Sequence, residues 1–490
     1  MGDHALTIGL KTGGRPACAA MPIRDVCWGL TGSSPGEIGR SASGKGAAKR
    51  APNDGPNAGP VLVSPDSGVR RGLWICVSFA VCAACTAGTR RAVTLRAVSA
   101  AVLLAAFRSM RIEAITTVAQ FDALQDRWRE LEAACPTTSI FLTWEWQRLW
   151  WRHYGQARQL CILAAWDDGK LLGVLPLYIE KRRLRGVLPV RKLRQIGAGG
   201  DTAPDDLDPL LHAACLEPVA TALAEHVAQH LAGWDALDFN DLQPDAPFTV
   251  ALIDASRRNA AWLRVGEPSR IIYGVLPANW EAFLGGLSYH RRGVVRRLRR
   301  KFEQQDGARV IQSHEEVSLD AAFDRLAKLH RLRWAGRTDQ PSFTTPEYLG
   351  FHRELMHALL ARGRLRLLEL ELGGRSVAML YGYRLGDRFY YFQSGFDPGV
   401  APLSPGELLL GYAIESAILE GCATFDMLKG DYDHKRHFFQ QTRGTVGVKA
   451  YRPGVAAWAY RCKEWLDARA KPPHGANQPQ SRQTADVEAG

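Results

Sequence analysis

One order of segments is written twice in this chain. The stretch LCILAAWDDGKLLGVLPLYIE (160–180) holds two strand-like runs around an Asp168-Gly169 turn, and LRLLELELGGRSVAMLYGYRL (365–385) repeats the pattern around Gly373-Gly374. Laying Gly169 on Gly374 puts Leu172 on Val377, Leu175 on Leu380 and Tyr178 on Tyr383. Upstream, at nearly the same offset, Phe141-x-Thr143-x-Glu145-Trp146 aligns with Phe343-x-Thr345-x-Glu347-Tyr348. Downstream, WDALDFNDL matches CATFDMLKG, with Asp238 over Asp426. An internal duplication accounts for all three matches. Each copy reads as a helix pair, a meander of antiparallel strands, a helix and a last strand, which is a mixed α/β unit of ordinary domain size. The copies are unequal between hairpin and helix. The first has LRGVLPVRKLRQIGAGGDTAPDDLDPLL where the second has GDRFYYFQSGFDPGVAPLSPGELLL, so an asymmetry of function is expected.

The duplicated part does not fill the 490 residues. Helical periodicity begins just after Met110, with Phe121, Leu124, Trp128 and Leu131 on one face, and resumes over Trp144 to His153 and over 217–232. Residues 1–109 read as a disordered extension or the product of an upstream start: 31–70 is a Gly/Ser/Pro/Ala stretch without period, and residues 1–30 have no apolar signal-peptide core. The expected division is therefore 1–109, two domains at 110–269 and 270–452, and a C-terminal helix with a disordered tail at 453–490. Of the net charge of +12, residues 1–109 supply +8, so the basic balance says little about the partners of the main body. The uncharged run 73–89 is slightly short for a membrane span and stands as a possible anchor. The ten cysteines are scattered and suggest reduced thiols in a cytoplasmic protein; Cys82-x-x-Cys85 lacks a second metal-binding pair, and no metal is expected. No nucleophile elbow, Walker loop or His-Glu-x-x-His helix is present, which leaves hydrolase and NTPase readings without support.

The helix start Ser404-Pro405-Gly406-Glu407-Leu408 stands out. Ser404 at N-cap, Pro405 at N1 and Glu407 at N3 fit a capping box. Gly406 fits a second reading, in which bare amides and the helix dipole receive an anion, although Glu407 would compete with it. A glycine inside a helix otherwise costs about 1 kcal/mol against alanine.

The segment 390–438, YYFQSGFDPGVAPLSPGELLLGYAIESAILEGCATFDMLKGDYDHKRHF, resembles the C-terminal half of the CelD/BcsL-type acetyltransferases of the GNAT superfamily. The similarity extends through SYHRRGVVRRLRRKFE (288–303), LHRLRW (329–334) and GGRSVAMLYGY (373–383), and covers about residues 112–452. It implies tandem GNAT-like domains, each a mostly antiparallel mixed sheet flanked by helices. The second would hold an acyl-CoA donor at Ser404, Pro405, Gly406, Glu407 and Leu408, and the first would be a degenerate copy that shapes the acceptor site. The acceptor implied is a sugar hydroxyl or amine of an exopolysaccharide or cellulose-related precursor, with peripheral association with membrane polysaccharide machinery. The usual GNAT pyrophosphate loop, Arg/Gln-x-x-Gly-x-Gly/Ala, is absent. The duplication also resembles FemAB-type transferases, whose donor is aminoacyl-tRNA, and a non-catalytic assembly component is a third reading.

Acyl transfer needs a base for the acceptor proton and donors for the oxyanion. Asp426 or His434 could be the base, and Lys435 could bind an anionic group or neutralise Asp426. Tyr390 and Tyr391 face opposite sides of one strand, so one of them, taken as Tyr391, can reach a cleft and protonate the departing thiolate. On the acceptor side stand Arg292 and Arg296 of the basic run 291–301, Trp334, Gly430 and Asp431, with Asp206 and Asp208 of the acidic Gly-rich loop. Aromatic interleaving around the basic run is sparse, so nucleic acid is not an expected partner.

Overall fold

The computed structural model describes residues 110–136, 138–184, 186–260, 262–336, 342–430 and 433–470. The extension 1–109 with its apolar run 73–89, the tail 471–490, and Asp431 lie outside the described residues. The first half runs β1 (Arg111–Ile115), α1 (Val118–Ala123), α2 (Gln125–Ala134), α3 (Trp144–Tyr154), β2 (Arg158–Leu160), β3 (Ile162–Asp167), β4 (Lys170–Leu175), β5 (Leu177–Leu184), β6 (Leu188–Gln195), β7 (Leu210–Leu211), α4 (Leu216–Glu225), β8 (Ala236–Leu242), α5 (Pro247–Asn259) and β9 (Trp262–Val265). The second half runs β10 (Ser269–Val275), α6 (Trp280–Gly286), α7 (Tyr289–Glu303), β11 (Arg309–Gln312), α8 (Ser313–Glu316), α9 (Leu319–Trp334), α10 (Pro346–Ala361), β12 (Leu365–Leu372), β13 (Arg375–Leu385), β14 (Arg388–Phe396), α11 (Pro405–Leu419), β15 (Thr424–Lys429), α12 (Asp433–Arg436), β16 (Gln441–Tyr451) and α13 (Val455–Ala470). This is the mixed α/β class expected from the alternation of periods, with mostly antiparallel sheets flanked by helices.

The duplication is visible residue by residue. Thr143 caps α3 by accepting from the Trp146 amide, and Thr345 caps α10 by accepting from the Tyr348 amide. Phe141 and Phe343 are both fully buried, as are Trp146 and Tyr348. The two capped helices pack on each other, with the Trp146 ring edge-on to Phe351 at 5.1 Å, so equivalent helices of the two copies share one core. Asp201, in the loop after β6, ties them at one end by accepting from the Tyr154 hydroxyl and from Thr345 Oγ1 (2.5 Å).

The copies differ where prolines and pairing partners differ. In the second copy β12 and β13 form one long hairpin, with Leu380 opposite Leu368. In the first, Pro176 separates β4 from β5 because it has no N–H for the ladder. The outer part, β3 and β4, joins a four-stranded sheet, β1-β3-β4-β7, while β5 stays in a twelve-stranded sheet. That larger sheet has the order β11-β12-β13-β14-β15-β10-β16-β8-β6-β5-β2, with β9 alongside β16. The sheet is therefore continuous across both halves. The halves join at β16, which pairs with β10 (Ile271 opposite Arg443) and with β8 (Lys449 opposite Asp238), so the last strand of the second half also completes the sheet of the first.

Candidate active site

Among antiparallel neighbours, two strand pairs are parallel, one in each copy. β14 and β15 pair at Arg388 with Thr424, Phe389 with Phe425 and Tyr390 with Asp426, and there the ladder ends. Past that point β14 stays with β13 through a bulge at Phe392, and β15 stays with β10. The two strands therefore part beside Tyr391, leaving main-chain groups of β14 without a strand on that side. Helix α9 lies so close to β14 beyond this point that a Cβ at Gly395 would come within 2.2 Å of the His330 amide nitrogen. In the first copy β6 and β8 pair only at Lys192 with Ala236 and Leu193 with Leu237. The gap beyond is bridged by the Gln195 side chain, whose Nε2 donates to the Asn240 carbonyl (2.8 Å) and whose Oε1 accepts from the Asn240 amide (2.9 Å).

Helix α11 starts just after the open pair, and its first turn departs from the capping box. Ser404 is left-handed (φ 50°, ψ 56°) and makes no side-chain cap bond, since its side chain is turned away from the extended geometry that a cap requires. Its carbonyl takes the Glu407 (3.0 Å) and Leu408 (3.1 Å) amides, whereas the Gly406 N–H has no partner among the described residues. Glu407 does not reach back to Ser404; its carboxylate is held by Arg291 (2.8 Å) and His437 Nδ1 (2.8 Å). Pro405 and Leu408 are buried under the helix.

The proposed catalytic residues meet different fates. Tyr391 is the first residue past the divergence, and its hydroxyl bonds Ser394 Oγ (2.6 Å), which accepts from Arg333 (2.7 Å). Tyr390 points to the opposite core, beside Phe141, as strand alternation requires. Asp426 is buried and committed: Oδ1 accepts from the Leu428 amide (2.9 Å) and Oδ2 faces Arg443 (2.8 Å). Lys435 is held by main-chain oxygens. Its buried ammonium donates to the carbonyls of Met427 (2.7 Å), Leu428 (3.1 Å) and Lys429 (2.8 Å), closing the end of β15. His434 falls in α12, and its side chain lies outside the described residues. Gly430 supplies the positive φ (104°) that ends β15.

Asp206 and Asp208 are held by different partners. Asp206 is clamped by Arg443 through both oxygens (2.6 and 2.7 Å), so one guanidinium holds an aspartate from each half, with Arg388 4.0 Å from both. Beside it, Asp205 accepts from the Lys429 amide (2.7 Å), and the Lys429 ammonium joins Asp205 (3.2 Å) to Asp241 (2.7 Å). Arg443, Arg388 and Asp241 carry this junction and were not singled out from sequence. The alignment of Asp238 on Asp426 contains the clue, because each buried acid needs a cation and β16 offers Lys449 near one (3.8 Å) and Arg443 to the other. Arg296 is exposed and paired with Glu281 (2.9 Å), Arg292 is half-buried on the same helix, and Trp334 stands at the end of α9 by His330.

Next to this junction lies a cleft of about 380 Å³, lined by the Gly197–Gly200 stretch, Asn240, Asp241, Glu267, Ser269, Lys429 and Thr445. It lies where β6 and β8 of the first copy separate, and Ser269, Lys429 and Thr445 of the second half complete its wall. Four non-glycine residues with left-handed backbone gather here or in the adjoining segments: Ala203 (φ 43°), Asp206 (φ 51°), Asp241 (φ 58°) and Leu428 (φ 57°). Such conformations persist only where surrounding contacts enforce them, and they concentrate at functional sites. Among the described residues no cluster of three or more His, Cys, Asp or Glu side chains is placed to hold a metal.

Among the described residues Asp208 forms no ion pair; it accepts from the Gln243 amide (2.9 Å) and Thr249 Oγ1 (3.4 Å), and burial pushes its carboxyl up to about 7. A carboxyl raised above its unfolded value of about 4 contributes stability that is full below that value and is lost as pH rises through 7. This group is thus expected to withdraw stability between pH 4 and 7, at up to about 1.4 kcal/mol per pH unit. Asp208→Asn should flatten the profile in urea denaturation, and equal slopes for the two proteins would refute the assignment.

Residues 290–436, in the second half, match the family model described as an acetyltransferase (GNAT) domain. The description is that of the GNAT domain in general and does not single out the CelD/BcsL type. No curated protein matches the chain. Similar solved structures include FemX (11% identity, 72% of this chain and 100% of that one, TM-score 0.49) and a tandem GNAT protein from the clavulanic acid biosynthesis pathway (12% identity, 70% and 100%, TM-score 0.39). A GCN5-related N-acetyltransferase from Sphaerobacter thermophilus is a third (13% identity, 71% and 98%, TM-score 0.30).

Proposed function

We propose that the chain moves an acyl group from acyl-CoA to a hydroxyl or amine of a sugar or polysaccharide precursor. The observation that carries the donor half is the parting of β14 from β15 beside Tyr391, immediately before α11 and inside the segment that matches the GNAT domain. An extended thioester arm can use the main-chain groups of β14 that no strand takes, and its phosphates can approach the Gly406 amide with Arg291 near. The acceptor is assigned to the neighbouring cleft, where Asp241, Glu267, Asn240, Ser269 and Thr445 offer the mixture of acceptors and donors that a polyhydroxylated molecule needs.

In the reaction, the acceptor oxygen or nitrogen attacks the thioester carbonyl, the C–S bond breaks, the acceptor proton leaves to a base, and the thiolate takes a proton. In this reading Tyr391, whose hydroxyl bonds Ser394 Oγ, supplies that last proton. Asp426 is better suited to hold Arg443 than to act as the base, since both its oxygens are occupied.

Titration calorimetry of the full chain with acetyl-CoA tests the donor class before the acceptor is known. Saturable binding of one donor per chain is expected. Absence of heat with acetyl-CoA and with longer acyl-CoA would overturn the reading, and activity that needs no CoA and is lost on ribonuclease treatment would replace it with the aminoacyl-tRNA one.

A further inference from the structure

Beyond the point where β15 leaves it, β14 turns its main-chain groups alternately to β13 and to the open side. The Asp397 N–H bonds the Val377 carbonyl, and Gly395 lies opposite Met379, so residues 395 and 397 face β13 while Ser394 and Phe396 present their N–H and C=O groups to the opening. One side chain reaches into it. Arg333, in the last turn of α9, donates from Nη1 to the Ser394 carbonyl (3.2 Å) and to Ser394 Oγ (2.7 Å). Its guanidinium carbon lies 5.1 Å from the centre of the Phe396 ring and 5.6 Å from that of Trp334. Gly395, on which the α9 backbone rests, lets the helix come close enough for this reach.

Arg291, Arg299, Arg325 and Arg366, half-buried in the same half of the chain, each meet a glutamate at 3.0 Å or less. Arg333 is half-buried too, but it forms no ion pair among the described residues, and its Nε and Nη2 have no hydrogen-bond partner among them. Acids of the adjoining segments are engaged elsewhere, Asp397 with Arg375 (3.2 Å) and Glu407 with Arg291 and His437. The neighbouring His330 ring is held down to about 4 by burial, with Arg333 adding to the effect, and is neutral. A partly desolvated cation with unused donors calls for an anion from outside the chain. Nε and Nη2 lie on one edge of the planar guanidinium and form a fork that matches the two oxygens of a carboxylate.

Ser394 Oγ, which accepts from Arg333, also bonds the Tyr391 hydroxyl (2.6 Å), so the guanidinium is one serine hydroxyl away from the residue assigned to the leaving sulfur. The diphosphate of a CoA donor is separated from that sulfur by the whole pantetheine arm, whereas the acyl group is bonded to it directly. The Phe396 ring lies against both Gly406 and Arg333, which makes a phosphate at the helix start the rival anion. We propose that Arg333 selects the acyl group: the donor carries a carboxylate at the far end of a short acyl chain, as in a succinyl thioester, and the free edge of the guanidinium receives it. The inference rests on the acyl-CoA reading and adds the chemical class of the acyl group.

Calorimetric titration of the full chain with acetyl-CoA and with succinyl-CoA tests it without an acceptor. Wild type should bind succinyl-CoA about tenfold or more tightly than acetyl-CoA. Arg333→Met should bring succinyl-CoA to the affinity of acetyl-CoA and leave acetyl-CoA binding within about twofold of wild type, which also shows that the variant folds. Arg333→Lys, which keeps the charge without the fork, should fall between. Equal affinity of wild type for the two donors would overturn the proposal. An Arg333→Met variant that loses the same factor with both would overturn it as well and assign the guanidinium to the phosphates. Wild type that binds neither would bring down the acyl-CoA reading and this inference with it, a result distinct from the other two.

Discussion

Arg443→Met should destabilise the protein by about 3–5 kcal/mol at pH 8, the range found when one partner of a buried ion pair is removed. The side chain keeps its bulk but loses the guanidinium that holds Asp206 through both oxygens and Asp426 through one. Both carboxylates are almost fully buried, and the nearest remaining cation, Arg388, is 4.0 Å from each. Burial already holds the Asp206 carboxyl above its ordinary value, with Arg443 as the main opposing influence. Without Arg443 the buried Asp206 carboxylate would lose its main counter-charge and be driven towards protonation. The sign with pH follows: a folded-state carboxyl pKa raised further means stability retained at low pH and lost as pH rises, so the deficit of the variant should shrink between pH 8 and pH 5. Arg443→Lys keeps the charge but cannot span both acids as a planar fork, and should fall between. Urea denaturation at the two pH values measures all of this; a deficit below about 1 kcal/mol at pH 8 would show that β16 is held across the halves by its backbone ladders alone.

The contrast between what could and could not be read beforehand follows the range of the forces involved. The helix caps at Thr143 and Thr345, the tight turns at Asp168-Gly169 and Gly373-Gly374, and the buried Phe141 and Phe343 are set by residues a few positions apart, and the repeat displayed each of them twice. The pairing of β16 with β8 joins residues 441–451 to 236–242, and no local period encodes such a partner. Arg443 carries no local sequence signal for the same reason: it joins Asp426, on another strand, to Asp206, 237 positions away, and these acids are adjacent only in the fold. Ser404 misled in another way: serine three residues before glutamate fits a capping box, but the cap needs extended backbone at the serine, and the turn from Pro398 to Leu403 delivers the chain to Ser404 left-handed. Lys435 looked like a charge for a substrate, yet three carbonyls at a strand end were a nearer demand on its ammonium.

Gly406→Trp is expected to weaken acetyl-CoA binding by about 100-fold or more, a loss of about 2.7 kcal/mol. Of the amides in the first turn of α11, those of Glu407 and Leu408 are taken by the Ser404 carbonyl and Pro405 has none, so the partnerless Gly406 N–H concentrates whatever anion affinity the helix start has. Glu407 lies one residue away, but Arg291 and His437 hold its carboxylate, which reduces its repulsion of a phosphate. A Cβ at position 406 would meet the Phe396 ring at 3.7 Å, an ordinary contact. Gly406→Ala should therefore fold normally, gain up to about 1 kcal/mol in stability from its helix propensity, and bind the donor far better than the tryptophan variant. The indole, by contrast, has to occupy the space between the helix start and the end of β14 that the phosphates are proposed to use. Calorimetric titration of wild type and both variants separates blocking from unfolding. A tryptophan variant that binds acetyl-CoA as tightly as wild type would move the donor away from α11, leaving the open edge of β14 as the feature still to be explained.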